Sequence, residues 1–238
     1  VILSAPQGDT EWLMREAFAR YLQDPDRDPA AEDAHFAARL RERYGDAVPA
    51  EALLDAAETA TWIMPTVRRQ YFYRNWNHMP QFGMPLIAYL GMPTLTSFRM
   101  EGAFLWSKEQ ALSWWLPRAQ NYDVDYATIP EFVDGYAGVG KPVVTPTQVA
   151  DDLESRARRT LEALPALRAA TVARDPEGYA RLCSQLEYAA ELGLFHAAKT
   201  RAATAWARWM AGKATPDETT AEFRPRLEES VDRFRKAT

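Results

Sequence analysis

Residues 70–81, Gln-Tyr-Phe-Tyr-Arg-Asn-Trp-Asn-His-Met-Pro-Gln, gather the side chains in this chain best suited to hold a polar ligand. Aromatic faces stack on the C–H faces of sugars, and planar amide, guanidinium and imidazole groups match adjacent hydroxyls. The candidate carbohydrate contacts are therefore Tyr71, Tyr73, Arg74, Trp76, Asn77, His78 and Gln81. A competing reading has Tyr71, Phe72 and Trp76 packing a helix end and its loop, with the polar groups at the rim.

Other constellations fall short of a mechanism. Gly135-Tyr136-Ala137-Gly138-Val139-Gly140-Lys141-Pro142 fits G-x-x-x-x-G-K, but Pro142 stands where a P-loop needs a Ser or Thr hydroxyl. The segment before it reads as a short helix instead of the required strand, so a Gly-rich turn into the next helix is the better reading. Glu32-Asp33-Ala34-His35 is one E-x-x-H unit of the kind di-iron bundles use twice, and no second copy accompanies His78 or His196. Glu187 and Glu191 are four apart, without partners to complete a metal set. Cys183 is the only cysteine, and it falls on an apolar stripe where an inert core thiol is expected. His196 adjoins the same stripe and reads as a hydrogen-bonded core or interface histidine. There is no G-x-S-x-G elbow. No catalytic residue, metal ligand or cofactor site is assigned.

The elements that must position the aromatic cluster are helices. Thr145-Pro146-Thr147-Gln148 and Thr215-Pro216-Asp217-Glu218 are capping boxes with proline at the first helical position, and Ser107-Lys108-Glu109-Gln110 has the box without the proline. After Thr145, the positions Val149, Leu153, Ala157, Leu161, Leu164 and Leu167 or Arg168 form one buried stripe. From Pro176 to about Gly212 a longer helix carries two stripes, Leu182-Leu186-Ala189-Gly193-Ala197 and Leu192-Phe195-Ala202-Trp206-Trp209, so it is expected to be central. Phe223, Leu227, Val231 and Phe234 mark the last helix, which Pro225 should kink or restart. These predict an antiparallel three-helix bundle.

The N-terminal third predicts three more helices. Trp12, Met14, Ala17, Phe18 and Tyr21 mark the first; Phe36, Leu40 and Tyr44 the second, ending at Gly45; and Leu53, Leu54 and Ala57 the third, from Pro49 towards Ile63. Pro65 follows or kinks the third. Between residues 74 and 144, six prolines and six glycines punctuate an aromatic-rich stretch. It reads as ordered loops with short helices near 108–118 and 130–136. The expectation is an all-α chain: N-terminal helices and a loop-rich region over 1–144, then the bundle over 145–238, packed as one unit.

Composition narrows the function classes. An apolar share of 47% is ample for a core and does not fit a disordered tail. Residues 9–58 hold 13 acids against 6 bases, and no basic stripe offers itself to phosphates, so no nucleic-acid partner is expected. The longest apolar run, 84–92, is far short of the ~20 residues that span a bilayer, so no membrane partner is expected either. The chain opens at Val1 without an initiator Met, which suggests a processed or excised piece of something longer.

Several stretches resemble one family. These are Glu11-Trp12 with Phe18, Tyr21 and Asp24-Pro25; Arg43-Tyr44-Gly45; Ala60-Thr61-Trp62-Ile63-Met64-Pro65; and Trp76 through Gln81. Further on come Ile129-Pro130-Glu131-Phe132-Val133, Thr145 through Asp151, and Leu192 through Lys199. Together they are similar to the helical region that follows the catalytic TIM barrel in large bacterial glycoside-hydrolase-like proteins of the α-glucuronidase and β-hexosaminidase type. The similarity runs from about residue 11 to 235. Asn77 and Gln81 stand where that family carries acids, so no acid–base role transfers to them.

The resemblance implies an accessory helical region of a periplasmic or secreted carbohydrate-active protein. Its partners would be the parent protein's catalytic barrel and an oligosaccharide, with loop 71–82, and also 93–106, lent to the cleft. The alternative is a free-standing helical interaction or oligomerisation module, motivated by Trp114-Trp115, Trp206 and Trp209.

Overall fold

The computed structural model describes residues 11–71, 125–127, 129–135 and 144–237. Over these the protein is all-α: α1 (Glu11–Gln23), α2 (Pro29–Tyr44), α3 (Ala50–Thr61), α4 (Ile63–Tyr71), α5 (Ile129–Asp134), α6 (Pro146–Arg168), α7 (Pro176–Met210) and α8 (Pro216–Ala237). The strand-like feature among them is one parallel bridge, Tyr126 with Val144, just before the Thr145 cap. None of the described helices is long and apolar enough to cross a membrane. The short helix expected near 108–118, the Ser107 box and loops 74–124 lie outside the described residues; the helix expected near 130–136 is α5.

The helix ends are chemically specified. At α6 the Thr145 hydroxyl accepts from the Gln148 N–H at 3.2 Å, and the Gln148 carbonyl oxygen accepts from the Thr145 N–H at 2.8 Å. At α8 Thr215 and Glu218 repeat the exchange at 3.2 and 2.8 Å. Both boxes form as the sequence predicts. The Asp28 carboxylate caps α2 by accepting from Ala31 N–H at 2.9 Å, with Pro29 in the first turn. α7 stops in a Schellman motif: Lys213 N–H reaches Arg208 C=O, Gly212 N–H reaches Trp209 C=O, and Gly212 takes φ +70°.

The chain divides into two compact units, the first built from residues up to Ile63 with Arg156–Glu191, the second from Met64–Ser155 with Leu192–Lys236. In the first unit, Phe36, Leu40 and Tyr44 of α2 and Leu53 and Leu54 of α3 pack with Leu164 and Leu167 of α6. Tyr179, Cys183 and Leu186 of α7 close that core. Each fully buried Leu or Phe there stabilises the fold by roughly 1.5–3 kcal/mol. Tyr44 meets Tyr179 edge to face, with centroids 5.3 Å apart, and the Tyr179 hydroxyl donates to Leu167 C=O at 2.9 Å. These two contacts tie α7 to α2 and to the end of α6.

In the second unit, Val149, Ala150 and Leu153 of α6 contribute buried apolar side chains beside the Ala- and Leu-rich half of α7. Phe195 contacts Phe234 at 5.4 Å and Trp206 contacts Phe223 at 5.2 Å, so α7 and α8 run antiparallel. The Arg201 guanidinium joins α7 to Asp151 and Glu154 of α6 at 2.8 and 2.5 Å. Residues 189–200 of α7 are buried without interruption, which matches the expectation that a helix with two apolar stripes is covered on both sides.

The structure settles which helix faces are covered and where the helices break. Met14, Phe18 and Tyr21 are 48%, 67% and 42% exposed, so only Trp12, Leu13 and Ala17 of α1 pack on the core. Val231 is exposed and Ser230 takes the buried position, its hydroxyl donating to Leu227 C=O. Thr219, Phe223, Leu227, Ser230 and Phe234 follow a 3.6-residue period more closely than a stripe through Val231 does. The third expected helix stops at Thr61, and Pro65 lies in the first turn of α4. α8 passes through Pro225, which sits on an exposed face where water can take up the freed carbonyl of Ala221.

Candidate functional site

The aromatic cluster begins at the last turn of α4. Ile63, Thr66 and Val67 bury one face of this helix and fix its course, and Tyr71 is its final residue. Tyr73, Arg74, Trp76, Asn77, His78 and Gln81 lie outside the described residues, as do the Tyr71 side chain, segment 93–106 and Trp114-Trp115.

A second set of polar groups lies inside the molecule, on α7. His196, Lys199, Thr200 and Thr204 are all buried. Thr200 donates to His196 C=O at 2.7 Å and Thr204 donates to Thr200 C=O at 2.9 Å, so both hydroxyls are satisfied along their own helix. The His196 ring meets Phe195 edge-on at 4.8 Å, and Lys199 Nζ lies 4.8 Å from the Phe195 ring centre. That geometry lets the aromatic face offset part of the ammonium's desolvation. Burial, reinforced by the nearby Lys199 charge, pushes the His196 imidazole down to about 3. Burial lowers the Lys199 ammonium to about 8, which places an amine that can exchange a proton near neutral pH inside the fold. The sequence carries a trace of it: the Phe195–Ala202 step of the α7 stripe is seven positions long, and Lys199 falls in the gap.

The remaining candidates resolve into ordinary structural roles. Glu32 and His35 turn to different partners. The Glu32 carboxylate accepts from Arg20 at 2.7 and 2.5 Å and from Arg27 at 3.3 Å, and these guanidiniums hold it down at about 2. His35 Nε2 lies 2.8 Å from the Glu16 carboxylate, which also accepts from Arg39. Glu187 accepts from Arg168 at 2.6 Å, while Glu191 is buried. Cys183 is 1% exposed and burial pushes its thiol up, away from the reactive thiolate. Gly135 ends α5 at φ +82°, so a helix precedes the glycine-rich run; residues 136–143 lie outside the described set. Trp206 and Trp209 stack edge to face on each other at 5.8 Å, and Trp206 packs on α8, so these half-buried indoles already serve the fold.

No family model matches the sequence, and no curated protein matches it. Among solved structures, the fold is similar to that of a protein described as a GH138 enzyme targeting pectin rhamnogalacturonan II. The TM-score is 0.69 at 18% sequence identity, and the match covers 95% of this chain. The same match takes up 30% of that enzyme's chain, so almost the whole of this protein corresponds in fold to under a third of a larger enzyme.

Proposed function

We propose that this chain is a helical accessory region of a glycoside-hydrolase-like protein, packing on the catalytic barrel and lending residues 71–82 to the sugar cleft. The observation that carries the reading is the fold likeness, over 95% of the chain, to part of a carbohydrate-active enzyme. The independent resemblance of short stretches from residue 11 to 235 to the helical region of such proteins agrees with it. In this reading the chain supplies no catalytic carboxylate pair; Tyr71, Tyr73 and Trp76 offer stacking faces, and Arg74, Asn77, His78 and Gln81 offer hydrogen bonds to hydroxyls.

The test has two arms. The purified 238-residue chain, incubated with plant cell-wall oligosaccharides, is expected to cleave none of them and to bind them weakly; efficient cleavage by this chain alone overturns the reading. In the parent protein, Trp76→Ala and Arg74→Ala are expected to lower kcat/KM on the order of tenfold with helical content unchanged. Unaltered kinetics in both variants would remove the loop from the cleft.

A further inference from the structure

The first unit has an apolar face that its own core leaves uncovered. α1 is apolar on two sides. Leu13 and Ala17 pack inward, while Met14, Phe18, Tyr21 and Leu22 point outward at spacings of four, seven and eight, each more than 40% exposed. Beside this outer row lies a groove of about 500 Å³ between α1, α2, α3 and the first half of α7. Leu13, Leu182, the half-exposed Trp62 and the Met14 and Tyr21 members of the outer row line it, over the buried Phe36, Leu54 and Leu186 of the core.

The charged side chains that line this groove are all acidic. Glu32, inside it, is already saturated by Arg20 and Arg27. Asp33 and Glu58, also in its lining, have no cation or hydrogen-bond donor among the described residues. Partial desolvation in the groove lining, then the neighbouring Asp33 and Asp55 charges, push the carboxyl of the surface-exposed Glu58 up, as expected for an acid that shares its surroundings with other acids. Residues 9–58 carry a net charge of −7.

We propose that this groove receives a basic amphipathic helix from a partner polypeptide, its apolar row lying on the part-exposed Leu13, Met14, Tyr21 and Leu182 and reaching the exposed Phe18 of the same α1 row, with a Lys or Arg meeting Asp33 and Glu58. Laying a helix into an apolar groove is a recurrent recognition mode, and here the unpaired carboxylates set the sign of the occupant. A second copy of this chain fits poorly, because pairing the same face would set one net −7 region against another. The inference goes beyond the accessory-region reading and does not depend on it.

The experiment titrates the intact chain with a synthetic helical peptide bearing Leu at positions i, i+4 and i+7, flanked by lysines. Fluorescence anisotropy reports binding, and light scattering reports oligomeric state. Saturable binding that weakens with added salt is expected. The Glu58→Lys and Asp33→Lys pair should weaken it about tenfold or more, and Phe18→Ala should also weaken it. Both acids are exposed, so the charge variants are expected to keep the helical circular dichroism of the parent chain. A peptide with Glu in place of Lys should bind far less well. The proposal fails if the basic peptide does not bind, or if it binds the charge-reversed chain equally well. It also fails if light scattering finds a dimer that Phe18→Ala dissolves, since the occupant would then be a second copy.

Discussion

A Cβ placed on Gly45 would sit 2.9 Å from the Cβ of Ala173, closer than two such carbons can approach. The backbone at Gly45 also lies at φ +114°, ψ 156°, a region open almost only to glycine. The corner is locked from the other side, since the Tyr44 carbonyl accepts from both Ala173 and Arg174 N–H at 3.0 and 3.1 Å. Gly45→Ala therefore combines backbone strain with a clash at a bonded corner, and should destabilise the first unit by roughly 2–4 kcal/mol. Gly212, at φ +70° with open space where its Cβ would go, is the matched control. Gly212→Ala should cost only about 1–2 kcal/mol. Urea melts followed by circular dichroism would compare the two, and equal losses would sink the steric part of the explanation.

Asp175 is the residue that lets α7 begin where it does. Its φ is +46°, which Asp and Asn tolerate better than other side-chain-bearing residues. Its carboxylate accepts from Gly178 N–H at 3.0 Å and from Arg43 at 3.1 Å. Asp175→Ala loses the cap, the Arg43 contact and the tolerance for positive φ, and should cost about 1–2 kcal/mol. Asp175→Asn keeps the cap and the backbone preference, so most of the stability should return. If the Asn variant melts as low as the Ala variant, the Arg43 ion pair would outweigh the cap.

The two capping boxes give a test of additivity. Thr145→Ala and Thr215→Ala each remove one side-chain acceptor from an exposed helix start, and each should cost roughly 0.5–2 kcal/mol. The two sites share no hydrogen-bond partner, so the double variant should lose close to the sum. A large shortfall would mean that one of these helix ends frays before the main unfolding transition.

Both boxes are legible in the sequence because a cap is a local object, complete within four residues. The α6 and α7 stripes are legible for the same reason: periodicity states which positions share a face. Which face another element covers is not written locally. Met14 and Phe18 of α1 are apolar and mark the helix as clearly as Trp12 and Ala17 do, yet the structure covers only the Trp12, Leu13 and Ala17 side. Ser230 displaces Val231 on α8 because a 3.6-residue period with packing at Phe223 and Phe234 favours that position, and its hydroxyl is satisfied by the helix itself. Lys199 does not stand out as a candidate group because a charged residue within an apolar stripe reads as an interruption, and only its burial exposes the cost. The aromatic cluster at 71–81 is legible in composition alone, and its geometry lies outside the described residues apart from the backbone of Tyr71.

His196 should make the folded chain acid-sensitive well above the range where most carboxylates titrate. The folded protein holds the imidazole neutral down to about 3, whereas the unfolded one takes up a proton near 6.5. Between those values the unfolded chain binds more protons, so stability is intact above about pH 6.5 and falls as the pH drops towards 3. Over the whole window the loss attributable to this one group is on the order of 5 kcal/mol, and somewhat under half of it is already visible by about pH 5. Lys199 acts at the other end: with its ammonium at about 8 in the folded state and 10.5 when free, stability should rise as the pH increases from 8 to 10.5. His196→Gln removes the acid-side slope and Lys199→Met the alkaline one, each measured as the difference in melting temperature across its window relative to the unaltered chain. A His196→Gln variant that still loses the same stability between about pH 6.5 and 5 would overturn this assignment, because a paired carboxylate such as Glu32, held at about 2 by Arg20 and Arg27, loses its contribution only below about pH 4.5.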